Sequence, residues 1–171
     1  MQIHLRDINT KLITAWQAAF ADRKDVTVSQ GDIFAVPADA IVSPANSYGV
    51  MDGGIDRIYS ERFGWDLQAR LQQAIRASHG RLLPVGEALV VPTNDPQIPW
   101  LVSAPTMVRP GNVADTDNAF LAFRAALRAA RALNKQHRRA PIQTLLCPGM
   151  CTAAGRMPPA RAAAQMRRAL G

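Results

Sequence analysis

Two polar residues ten positions apart carry the most chemistry in this chain: Asn46, in the turn-rich stretch SPANSYG, and Asp56, just after the pair Gly53-Gly54. Before them, Asp39 to Val42 is a short β-favouring apolar run, and Ser43, Pro44, Asn46, Ser47 and Gly49 supply the turn residues that end it. Gly53-Gly54 lets backbone pass close to a ligand where a Cβ would collide, and Ile55, Ile58 and Tyr59 resume helical spacing. A strand, a glycine-bearing loop and a helix N-terminus in that order make an anion site, because free amides and the positive end of the helix dipole point at it. A primary amide there can both donate and accept, and a carboxylate can move a proton. Both residues also have a structural reading. An acid in the first turn of a helix gains about 0.3–1 kcal/mol from the dipole, and asparagine is a common turn residue.

A second loop of the same kind lies near the C-terminus. PGMCTAAGRMP follows the apolar run Ile142 to Cys147 and is dominated by the small residues Gly149, Ala153, Ala154 and Gly155. Thr152 can donate a hydroxyl hydrogen bond to a phosphate oxygen, and exposed backbone amides can donate others. Upstream, Gly31-Asp32-Ile33 ends the β-branched run that starts at Val26, where Asp32 could equally be a turn or cap residue. The irregular segment APTMVRPGNV follows another strand candidate, on the side where open α/β sheets place ligands, so Thr106 and Met107 are expected at a pocket rim.

DAIVSPAN followed by GGID resembles the macrodomain signature, in which a strand reading roughly DAIVNAAN precedes a glycine-rich loop ending in G-V-D. The separation of Asn46 and Asp56 fits that family's asparagine-to-aspartate spacing, Gly31-Asp32-Ile33 resembles its G-D-I, and PGMCTAAGRMP resembles its second phosphate loop. These pieces run from Gly31 to Pro158 in the family's order. The resemblance implies a three-layer α/β/α sandwich with a mixed, mainly parallel central sheet, and ADP-ribose as ligand with no further cofactor and no metal. It implies that Asp32 accepts from the adenine amine while the backbone of Ile33 supports the ring. The diphosphate would lie between Gly49, Val50, Met51, Gly53, Gly54 and Ile55 on one side and Gly149, Met150, Cys151, Thr152, Ala153, Ala154 and Gly155 on the other. By the same resemblance, Asn46 positions the distal ribose and Asp56 orients or activates water near its anomeric carbon.

The implied activity is hydrolysis of ADP-ribosyl esters, on mono-ADP-ribosylated protein or O-acetyl-ADP-ribose. A non-catalytic ADP-ribose reader, a nucleic-acid-binding macrodomain and an ADP-ribose-1″-phosphate phosphatase are the alternatives. Several positions depart from the family pattern. Ser43 stands where many members have a first asparagine, and Pro44 stiffens the turn. The first glycine loop reads GVMDGG, so Met51 and Asp52 bring bulk and negative charge to a phosphate site, and the Asp52 side chain is expected to point away. Cys151 and Ala153 occupy positions where related sequences tend to have glycine, and no aromatic residue follows.

The elements that must position these loops alternate along the chain. Strands are expected at Gln2–Arg6, Val26–Ser29, Ala40–Val42, Val85–Val91, Trp100–Ala104 and Ile142–Cys147. Helices are expected from an Asn9 or Thr10 cap to Phe20, after Gly54, over Trp65–Ser78, over Asn118–His137 and over Pro159–Leu170. That alternation argues an α/β fold with a mainly parallel sheet, in one domain spanning 1–171. Two cysteines are too few for a disulfide framework, no apolar run reaches the roughly 20 residues of a membrane span, and no signal peptide is evident. A cytoplasmic protein is expected. The net charge of +7 sits largely in FRAALRAARALNKQHRR and ARAAAQMRRAL, which read as solvated helix faces. Without interleaved aromatics, nucleic acid is a possible partner but not the favoured one.

Overall fold

The structure is a computed structural model that describes residues 1–171. Six strands form one sheet: β1 (Gln2–Asp7), β2 (Val26–Gln30), β3 (Ala40–Ser43), β4 (Leu89–Pro92), β5 (Trp100–Ser103) and β6 (Thr144–Cys147). Their spatial order is β2-β1-β6-β3-β5-β4, all neighbours pairing in parallel except β4, which runs antiparallel to β5 at one edge. Five helices connect them: α1 (Thr10–Ala19), α2 (Gly54–Phe63), α3 (Asp66–His79), α4 (Asn118–Gln136) and α5 (Pro159–Ala169). Asn9 caps α1 as expected, its side chain accepting from the amides of Lys11 at 3.0 Å and Leu12 at 3.2 Å.

Side-chain alternation along the strands assigns the helices to two layers. Ile3, Leu5, Ala40, Val42, Leu145 and Cys147 face one way and pack with Leu12 and Trp16 of α1, Phe123 and Leu127 of α4 and Met166 of α5. Ile41, Leu101 and Leu146 face the other way, against Tyr59 of α2 and Leu67, Leu71 and Ile75 of α3. Because the strand period is two residues, both faces are apolar and both are covered. The result is the three-layer α/β/α sandwich with a mixed, mainly parallel sheet.

Two strand starts differ from the sequence reading. β4 begins at Leu89 because Gly86 takes φ +98° and the Glu87 amide bonds back to the Pro84 carbonyl at 3.1 Å, turning the chain. β6 begins at Thr144 because the Asn134 side chain occupies both backbone groups of Ile142, at 2.6 and 2.9 Å.

Candidate functional site

The first loop leaves the C-terminal end of β3 and stays stitched to the chain after β5. The amide of Ala104 donates to Ser43, that of Thr106 to Ala45 and that of Ser47 to Met107, at 3.0, 2.9 and 3.0 Å. Asn46 folds the loop from within: its amide nitrogen donates to the Val50 carbonyl at 2.8 Å, and its oxygen accepts from the amides of Tyr48 and Val50 at 3.1 and 3.3 Å. One Nδ2 hydrogen is left over.

Met51 departs from its expected place against a ligand. Its side chain is fully buried in the core beneath α2 and α3, its amide donates to Gln68 at 2.7 Å and its carbonyl accepts from Ser60 at 2.7 Å. An unbranched thioether in an otherwise small-residue loop finds apolar company inward. With Met51 anchored there, Asp52 is left exposed at the mouth of the site. Gly53 then caps α2 without a side-chain acceptor, so the first-turn amides stay available to an anion. Gly54 takes φ +56°, the left-handed region that disfavours other residues.

Asp56 sits in that first turn, only 6% exposed. Ser43 Oγ donates to its Oδ1 at 2.5 Å. Burial pushes the carboxyl up to about 6, and the Ser43 hydrogen bond opposes the rise. The contact is absent from any sequence pattern, and Ser43 is the functional neighbour the sequence reading left as a departure.

The second loop leaves β6, the strand beside β3. The Gly149 amide donates to Asp7 Oδ2 at 2.9 Å, and the Met157 amide closes the far end on the Cys151 carbonyl at 2.9 Å. A Cβ on Gly155 would lie 2.5 Å from that same carbonyl oxygen, so only glycine lets the loop close. Cys151 itself takes φ +67°, a conformation glycine adopts more readily. Its thiol is buried and pushed up to about 12 by that burial, which makes it inert as a nucleophile. The amides of Thr152, Ala153, Ala154 and Gly155 donate to no protein acceptor.

Between the two loops lies a cavity of about 220 Å³. Asn46, Val50, Gly53, Gly54, Ile55 and Asp56 line it from the first loop, and Gly149, Cys151, Thr152, Ala153, Ala154 and Gly155 from the second. Thr106 and Met107, together with Pro110, close the third side. Five of the expected ligand-contacting residues lie outside it. Gly49 is buried against Leu71 and Ile75 of α3, while Ile33 and Met150 are core residues of the two faces. Met51 is core as described. Asp32 is exposed at the end of β2, where its side chain accepts from the Phe34 amide at 2.9 Å and its carbonyl from Arg6 Nε at 2.7 Å. A larger cavity of about 690 Å³ adjoins the first and shares Asn46, Val50, Asp52 and Pro110 with it.

The sequence model of the Macro domain family matches residues 42–166, a span that excludes Asp32. A macro domain-containing protein of Streptomyces coelicolor is 32% identical over 137 residues, covering 78% of this chain and 75% of that protein. An uncharacterized protein of Aquifex aeolicus is 31% identical over 142 residues, covering 83% of this chain and 78% of its own. One from Aeropyrum pernix is 36% identical over 105 residues, 61% of this chain, and the match spans about half, 52%, of that relative. Among solved structures, the macrodomain of Mycobacterium tuberculosis DarG superposes with a TM-score of 0.68 at 19% identity, covering 84% of this chain and 88% of that one. The Oceanobacillus iheyensis macrodomain is similar both as a glycine-to-valine mutant with ADPR and with ADP, with TM-scores of 0.67 and 0.66 at 19% and 20% identity. Those two matches each cover 82% of this chain, and 73% and 71% of the matched chains.

Proposed function

This chain belongs to the macrodomain family, and from that premise we propose that it binds ADP-ribose across its two glycine-rich loops and hydrolyses ester-linked ADP-ribose. The diphosphate lies between the first turn of α2 and the amides of Thr152 to Gly155, and the distal ribose lies toward Asn46 and Asp56. The adenine reaches toward Asp32, whose second carboxylate oxygen is uncommitted. Related structures that carry ADPR and ADP support the ligand class.

One observation carries the catalytic part: Asp56 is a buried carboxyl on the cavity wall, raised to about 6. A general base works best when its pKa lies near the working pH. At neutral pH it is mostly ionised, so it can accept a proton from water as the water oxygen attacks C1″ of the distal ribose. The C1″–O bond breaks, the acyl group leaves as a carboxylate and ADP-ribose is released. Asn46 holds the loop and offers its remaining amide hydrogen to the sugar.

A second reading, that of a reader without turnover, is favoured by the engagement of Asn46 with its own loop and of Asp56 with Ser43. Calorimetric titration with ADP-ribose and release assays on mono-ADP-ribosylated protein and O-acetyl-ADP-ribose separate the two. The hydrolase reading expects micromolar binding, and in Asp56→Asn a fall in kcat of about 10²–10⁴-fold with affinity little changed. Binding without any release by the wild type would leave the reader, and no binding heat would sink both.

A further inference from the structure

The larger cavity has chemistry of its own. Its walls come from the end of α3, the Gly80-Arg81 turn and the Val108–Pro110 segment, with Tyr48 between them. Arg76 and Arg81, from the end of α3 and the turn just after it, and Arg109, from the distant segment beyond β5, converge on this one concavity, and none of them takes part in any of the molecule's ion pairs. The single carboxylate on the wall is Asp52, at the rim shared with the first cavity. Arg109 lies over the Tyr48 ring, 5.2 Å from its centroid, and the Gln72 side chain fixes the Tyr48 carbonyl at 3.3 Å. Hydrogen bonding with Arg109, then the charges of Arg109 and Arg81, hold the Tyr48 phenol below its usual value, so both guanidiniums act on the same ring.

Arg76 alone would be explained by the α3 dipole, since it lies in the last turn. Three unneutralised guanidiniums around one hollow repel each other and call for an anion. Arginine forks suit phosphate, and aromatic rings and guanidinium planes both stack on nucleobases. The volume lies within the roughly 300–1,000 Å³ of small-molecule sites. We propose that this cavity is a nucleotide subsite separate from the first, in which Arg76 and Arg81 bind phosphate oxygens and the Tyr48–Arg109 pair stacks a base. Asp52 repels phosphate from the shared rim and keeps it on the far side. The subsite goes beyond ADP-ribose binding in the first cavity, and its test does not use that ligand.

Fluorescence anisotropy with a short labelled oligodeoxythymidine, run on the full chain at several salt concentrations with AMP as unlabelled competitor, decides it. Wild type should bind with an affinity that falls as salt rises. Arg76→Ala/Arg81→Ala should weaken binding at least ~10-fold and flatten the salt slope by about 1.4, at ~0.7 per phosphate contact. Tyr48→Ala should cost a further ~5- to 150-fold, while Tyr48→Phe keeps the stack. Arg131→Ala/Arg138→Ala, on the exposed face of α4 and just beyond it, should bind as wild type does. Thermal melts matched to wild type exclude misfolding of the variants. Displacement by AMP supports a free nucleotide as occupant, and strand binding that AMP cannot displace supports a nucleic acid. The proposal is overturned by absence of binding at low salt, or by an equal loss in the α4 variant.

Discussion

Replacing Asp56 by asparagine should make the folded chain more stable at neutral to alkaline pH. The folded carboxyl titrates at about 6 against an ordinary 3.8, chiefly because burial disfavours its charge. At 1.36 kcal/mol per pH unit, that difference of about 2 units comes to about 3 kcal/mol. The sign follows from proton binding. Between the two values the folded state holds the proton more tightly than the unfolded state, so stability present below about pH 4 is lost as pH rises through about 6. Asparagine has the same shape, still accepts from Ser43 Oγ and carries no charge, so the penalty disappears. Urea denaturation of wild type and Asp56→Asn from about pH 4 to pH 8 reads the difference directly, because every other titrating group cancels between them. The gap should open by up to about 3 kcal/mol in favour of the variant toward pH 8 and close at pH 4. A gap independent of pH, or a variant less stable at pH 8, would refute the account of Asp56 as a buried charge.

The same carboxyl sets the pH dependence of turnover: kcat should fall on the acid side with an apparent pKa of about 6, as the base takes up a proton, read from initial rates of ADP-ribose release. Met51→Ala should cost about 2–5 kcal/mol in urea denaturation, as a core truncation does, while calorimetry finds ADP-ribose affinity of the folded variant nearly unchanged. Gly155→Ala should do the reverse in part. Its Cβ, 2.5 Å from the Cys151 carbonyl, costs about 1–3 kcal/mol and pushes the loop amides out of line, so the melting temperature and ADP-ribose affinity should both fall.

Much of the frame was legible because alternation of apolar runs with helical spacing depends on nearest neighbours alone. The glycine pair, the second small-residue loop and the residues between them were legible for the same reason, since each is a local backbone requirement. What depends on distant contacts was not. Met51 reads as a bulky intruder in a phosphate loop until α3 supplies Gln68 and an apolar floor. Ser43 and Asp56 are 13 positions apart and meet only because α2 docks over the end of β3. Basic charge drew attention to the arginine-rich helices α4 and α5, whereas Arg76 and Arg81, at and just beyond the end of α3, meet Arg109, 28 positions beyond Arg81, only in three dimensions. Strand order was equally hidden, since β6 inserts between β1 and β3 after every other strand is placed.

The stitching of Ser43, Ala45 and Ser47 to the chain beyond β5 makes the two sides of the small cavity unlike in stiffness. One jaw is an extension of the sheet, held by the committed Ser43 and Ala45 carbonyls and the Ser47 amide, and the open amides that it offers sit in the first turn of a helix, so its geometry is set before any ligand arrives. The other carries four amides with no protein partner. The entropy lost on binding an anion is therefore concentrated in Thr152 to Gly155, since a preorganised wall has little freedom left to lose. Amide hydrogen exchange divides along the same seam: Ala104 and Thr106 exchange slowly with or without ligand, and Thr152 to Gly155 become protected only when an anion is held.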